Sequence, residues 1–225
     1  MVKTPPFHGG NTGSNPVWVI VEALLFFNRG AYILDRGAFS MLTGKEIVND
    51  SAPVLRQRAA IVQMPPSSED QALLASMFEF IVNSQDEQFA KKHHIRAGIG
   101  LAAPQIGISK RMIAIHIPAE DVDEPLSCAL FNPRIISHSN EKTYLSTGES
   151  CLSVDKQYAG YVPRYARIKV KANDMNGEEV QLSLTGLASI CMQHEIDHLN
   201  GVLYYDHIHQ QDPFKKVQNS EPLVR

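Results

Sequence analysis

Apolar residues recur at helical spacing in two stretches of the chain. In the first, Leu74, Met77, Phe78 and Ile81 share a face. Pro65-Pro66 precedes them, Ser67 or Ser68 can cap the helix, and Glu69 and Asp70 fall in its first turn. The polar run from Gln85 to His94 is expected to extend it. In the second, Leu187, Ile190, Cys191, His194 and His198 form one stripe, with Thr185 or Ser183 as the start signal and Gly201 as the stop. Strand patterns lie between the two. Met112 to Ile117, Cys128 to Phe131 and Ile135-Ile136 are apolar runs. Ala166 to Lys171 and Glu179 to Leu184 alternate apolar and polar around Asn176-Gly177, which predicts a hairpin. Short helical pieces are expected near Lys45 to Asn49 and Val54 to Ala60, broken by Pro53. After Gly201 the chain passes through Tyr204, Tyr205 and Asp206 into a polar tail. Strands adjacent in sequence can pair antiparallel. The expected class is therefore α+β: antiparallel β-sheets packed around the C-terminal helix that carries His194 and His198, with additional N-terminal helices.

Residues 1–40 read differently. Met1 to Asn15 is rich in Gly, Pro, Asn and Thr. Val17 to Phe27 is apolar but too short to span a membrane, and Glu22 interrupts it as a signal peptide. The expectation is an N-terminal extension over 1–40, disordered or a start-site artefact with Met41 as the true start, followed by one domain over 41–225 that holds all of the patterned elements.

Composition narrows the class further. The 225 residues carry a net charge of -3, so electrostatics predicts neither a nucleic-acid partner nor an anionic membrane. Three cysteines in so long a chain do not make a disulfide framework and fit a reducing, cytoplasmic setting.

The chemistry concentrates in Gln193-His194-Glu195-Ile196-Asp197-His198. Residues four apart lie one helical turn above each other, so His194 and His198 can hold one metal between them. Glu195 then stands beside the open coordination position, where it can move a proton to or from a bound water. A catalytic site usually adds a third protein ligand. In the metzincin pattern that ligand is a histidine at position 204, which here is Tyr204. His207 and His209 follow the helix end at spacings that match no known pattern. Cys151 is the best candidate, modestly ahead of Cys128 and Cys191, which sit in apolar runs.

Three stretches then coincide in order: Gly98-Ile99-Gly100-Leu101-Ala102-Ala103-Pro104-Gln105, Glu149-Ser150-Cys151-Leu152-Ser153 and Gln193 to His198. Together they resemble the three signature motifs of the peptide deformylases. The residues between Asp86 and Arg96 and the loop from Glu120 to Pro125 resemble that family's longer-insert subgroup.

The resemblance implies that Cys151, His194 and His198 bind the metal and that Glu195 is the general acid/base. It implies that the Gln105 amide and the Leu152 backbone N–H meet the oxyanion. It further implies that Ile99 and Gly100 form the strand edge for the substrate backbone, and that Leu187 and Ile190 line the methionine pocket. The implied cofactor is one divalent metal ion, Fe(II), with Zn, Ni or Co as substitutes. The implied substrate is the N-formyl-methionyl end of new polypeptides, with formate released. Transient ribosome association is a further expected partner; no specific nucleic acid or membrane is expected, and, with no interface stripe in the sequence, a monomer is expected. In one departure, Ser150 stands where the family usually has Gly, and serine restricts the backbone wherever φ must be positive. The competing readings are a zinc metallopeptidase using the same two histidines, and a binding module descended from the fold.

Overall fold

The computed structural model describes residues 41–119 and 125–224, so the expected N-terminal extension and most of the acidic loop after Ala119 lie outside it. In chain order the elements are α1 (Ser68–Ser84), α2 (Glu87–His93), β1 (Gly100–Ala102), β2 (Met112–Ile117), β3 (Leu126–His138), β4 (Lys142–Leu145), β5 (Arg164–Tyr165), β6 (Arg167–Asn173), β7 (Glu179–Thr185), α3 (Gly186–Leu199) and β8 (Ser220–Leu223). The α+β class holds. An antiparallel five-stranded sheet runs β1-β2-β3-β6-β7, and a three-stranded sheet runs β5-β4-β8.

The apolar run of β2 is continuous because both of its faces are covered. Ile113, Ile115 and Ile117 enter one core with Leu187, Met192 and Ile196 of α3. Met112 and Ala114 enter the other with Leu74, Met77 and Ile81 of α1. The helix that carries His194 and His198 thus packs on one face of the sheet, over β2. Cys128 and Cys191 belong to the α3-side core, and burial pushes the Cys128 thiol up to about 12.

Several local expectations change. Gln85 to His94 does not extend α1. The Asp86 carboxylate accepts from the Phe89 N–H at 2.7 Å and starts a separate helix. Pro53 does not break a helix; it opens a 3₁₀ turn, Pro53–Arg56, at a position where its missing N–H costs nothing. The polar tail after Gly201 adds a strand that the sequence pattern did not mark. Ser220–Leu223 forms β8 and pairs parallel to β4, leaving Pro222 on a sheet edge where its missing donor is tolerated.

Asn176-Gly177 joins β6 to β7 as predicted, with Asp174 Oδ1 accepting from the backbone of Asn176 and Glu178. α3 ends at Leu199 and is turned away by Gly201, whose φ is +78°. The Gly201 and Val202 N–H groups turn back to the His198 and Asp197 carbonyls at 3.3 and 3.0 Å, closing the helix with its free carbonyls satisfied.

Candidate metal centre and cleft

α3 presents His194 and His198 one turn apart, with ring centroids separated by 5.0 Å. The loop after β4 brings Cys151 to them, its Sγ 3.2 Å from His198 Nε2. The three ligand atoms lie within 4.8 Å of one another, and all three residues are buried. Among the described residues this is a Cys-His-His metal site. Of the three cysteines, Cys151 alone joins the imidazoles.

Glu149, two residues before Cys151, accepts from His194 Nδ1 at 2.8 Å. A carboxylate can only accept, so Nδ1 carries the proton and Nε2 is left as the donor atom for a metal. Arg164 of β5 grips Glu149 with two bonds of 2.8 and 2.9 Å and reaches Asp197 at 2.5 Å. Burial would raise the Glu149 pKa, but the Arg164 charge and the bonds from Arg164 and His194 outweigh it, and the carboxyl falls to about 2.

Glu195 is also buried, and desolvation is again the largest influence; with less to oppose it, the carboxyl is pushed up to about 7. Among the described residues its Oε2 has no hydrogen-bond partner. A buried, unpartnered carboxylate oxygen costs about 1–3 kcal/mol unless something donates to it. A water held by a metal at Cys151, His194 and His198 is such a donor, so the residues present fit a metal. Sulfur and imidazole donors together suit Zn or Fe(II).

The Gln105 amide sits 3.4 Å from Cys151 Sγ, and its own oxygen accepts from the Ala102 N–H at 2.7 Å, which fixes the side chain. The Cys151 carbonyl accepts from the Val154 N–H at 3.2 Å, forming a turn. The Leu152 N–H shares a trans peptide with that carbonyl and points the opposite way. Arg96 steadies the turn by donating to the Leu152 and Val154 carbonyls.

One cleft of about 800 Å³ is lined by Ile99, Gly100, Gln105, Cys151, Leu152, Leu187, Ile190, His194 and Glu195. His198 lies behind this wall, 1% exposed. The structure therefore brings Cys151, Glu195 and the two imidazoles together with Gln105, Leu152, Ile99, Gly100, Leu187 and Ile190, while Cys128 stays in the core and His209 on the surface.

Two expectations are refined. The space over Gly100 is filled by Glu195: a Cβ built there would lie 2.3 Å from Oε1. Ser150 is exposed and is not among the non-glycine residues at positive φ, so serine meets no backbone strain. Tyr204, at the metzincin position, stacks near His194 with ring centroids 6.1 Å apart. Its hydroxyl accepts from the Tyr158 N–H at 3.2 Å. His209 is exposed and bonds Asp212 and Lys215. The reading from sequence missed Glu149, Arg164 and Asp197 as supports of the ligands. Glu149 and Asp197 each stand within two residues of a ligand, a signal that could have found them; Arg164 had none.

Comparison with known proteins agrees with this geometry. Residues 44–214 match the family model described as polypeptide deformylase. The chain is 57% identical to peptide deformylase 2 of Bacillus cereus over 186 residues, covering 82% of this chain and all of that one. It is 53% identical to peptide deformylase 2 of Bacillus subtilis over 186 residues, with the same coverage. Among solved structures, peptide deformylase from Thermus thermophilus superposes with a TM-score of 0.59 at 31% identity, covering 74% of this chain and 86% of that one. Arabidopsis thaliana peptide deformylase 1B in complex with an inhibitor also gives a TM-score of 0.59 at 31% identity, covering 73% and 82%. Among the described residues no helix is long and apolar enough to cross a membrane.

Proposed function

The chain belongs to the polypeptide deformylase family, and we propose that its cleft removes the formyl group from N-terminal formyl-methionine with Glu195, Gln105 and Leu152 as the working groups. The enzyme is a metal-dependent hydrolase acting on formylated nascent peptides. Cys151, His194 and His198 hold the ion, which in the cell is Fe(II). When bound, the ion acidifies a water and polarises the formyl oxygen.

Glu195 takes the proton from the attacking water and later delivers it to the departing amine; a carboxyl near 7 suits both transfers. The Gln105 amide and the Leu152 N–H donate to the oxyanion as the formyl carbon becomes tetrahedral. Each such donor is typically worth about 2.7–4 kcal/mol of barrier. Gly100, at the start of the edge strand β1, and Ile99 just before it pair with the substrate backbone. Leu187 and Ile190 supply an apolar wall for the methionine side chain. The chain works as a monomer, visiting the ribosome transiently, and residues 41–225 form the catalytic domain.

One observation carries this reading. A thiolate donor, two imidazoles, an amide and a buried carboxylate without a partner converge on one cleft. The test is formate release from formyl-Met-Ala-Ser, with metal analysis of the same sample. One metal per chain and release from formylated peptide only is the expected result. Cleavage of unformylated peptides instead would mark a peptidase.

A further inference from the structure

His207 drew attention in the sequence as a histidine beyond the helix end, and deformylation itself makes no use of it. In the structure its Nε2 lies 2.8 Å from Asp197 Oδ2. The same oxygen accepts from Arg164 Nη1 at 2.5 Å. Arg164 turns its other edge to Glu149, and Glu149 accepts from the ligand His194. The run starts on a side chain 35% exposed and passes through Arg164 and Glu149, each 3% exposed. We propose that His207 is a positioning residue of the metal centre, setting the donor strength of His194 through Asp197, Arg164 and Glu149.

The argument is geometric. Asp197 sits on the outer edge of α3 and keeps 19% of its side chain exposed. Held by Arg164 alone, its carboxylate can rotate toward water. A second donor on the same oxygen removes that freedom. The turn that carries His207 is itself anchored. Asp206 Oδ2 accepts from the Leu203 N–H at 2.8 Å and from Arg56 at 2.5 Å. Tyr204 of the same turn is buried, its ring stacked near His194.

With Asp197 fixed, the Arg164 fork stays aligned on Glu149, and Glu149 stays aligned on His194 Nδ1. As an exposed ion pair the His207 contact would contribute little to stability. As the outer end of an orienting chain it acts on the metal. Losing a direct partner of a metal ligand typically costs 10–100-fold in metal affinity, and His207 stands further out, so about 3–10-fold is expected.

The inference rests on Cys151, His194 and His198 being the metal site, and the test separates the two. Co(II) affinity is measured by competition with a chromophoric chelator, together with the ligand-field absorption of the cobalt protein. His207→Phe keeps a ring but no donor; the expected result is about 3–10-fold weaker Co(II) binding and a shifted spectrum. His207→Gln keeps a donor but no ring and should restore both. Adding His207→Phe to Asp197→Asn should change nothing further. Wild-type affinity and spectrum in His207→Phe overturn the proposal, and so does His207→Gln failing as badly as His207→Phe. If His207→Phe does not fold, His207→Ala against His207→Gln makes the same comparison. His194→Ala serves as the control. Tight cobalt binding in that variant sinks the site itself, whereas loss there with an unchanged His207→Phe sinks only the His207 link.

Discussion

Gly100→Ala tests how tightly the strand edge and the acid/base group are fitted together. The added Cβ would lie 2.3 Å from Glu195 Oε1, 2.8 Å from Cδ and 2.9 Å from Cγ. Ordinary contact starts near 3.4 Å, so Glu195 must retreat by about 1 Å. Its helix cannot follow, because α3 is packed against β2 and carries both imidazole ligands. The carboxylate therefore leaves its place beside the metal position. A misplacement of about 1 Å can cost on the order of 10²-fold, or about 2.7 kcal/mol of barrier. Gly100 is not at positive φ, so the alanine backbone itself is unstrained.

The assay is kcat for formate release by wild type and variant at matched metal content, with melting temperatures alongside. A kcat about 10²-fold lower with metal retained is expected. Gly98→Ala is the control: the nearest neighbours of its Cβ are Leu152 side-chain atoms, from 3.1 Å, and that side chain can shift, so a few-fold effect is expected. Wild-type kcat in Gly100→Ala would refute the placement of Glu195.

Other outcomes follow from the same site. Glu195→Gln should keep its metal and lose about 10²–10⁴-fold in kcat, read by steady-state kinetics and metal analysis. The Glu149 carboxyl is depressed from 4.5 to about 2. Its stabilisation is therefore complete above about pH 4.5 and is lost as pH falls toward 2, about 3 kcal/mol in all. Urea titrations of metal-free wild type and Glu149→Gln should converge as pH falls from about 6 to 3; a constant difference would contradict the assignment. Iron-loaded protein should lose activity in air while nickel- or zinc-loaded protein keeps it, since a ferrous ion beside a thiolate is open to oxidation. Equal air sensitivity with all three metals would count against iron-centred damage.

Local patterns in the sequence determined the parts of this protein that depend on neighbours along the chain. His194 and His198 face one way because a helix repeats every 3.6 residues. Asn176-Gly177 turns the hairpin because its flanking strands alternate. Both are short-range consequences of backbone geometry, so both were legible. The choice of Cys151 was different. All three cysteines are buried, and only the course of the sheets carries one of them across 47 positions to the imidazoles. Arg164 under Glu149, Glu195 over Gly100 and β8 beside β4 are likewise pairings between distant segments. Nothing periodic marks such pairs in advance. They are selected when two helices pack on opposite faces of one sheet and each buried polar group must find its partner there.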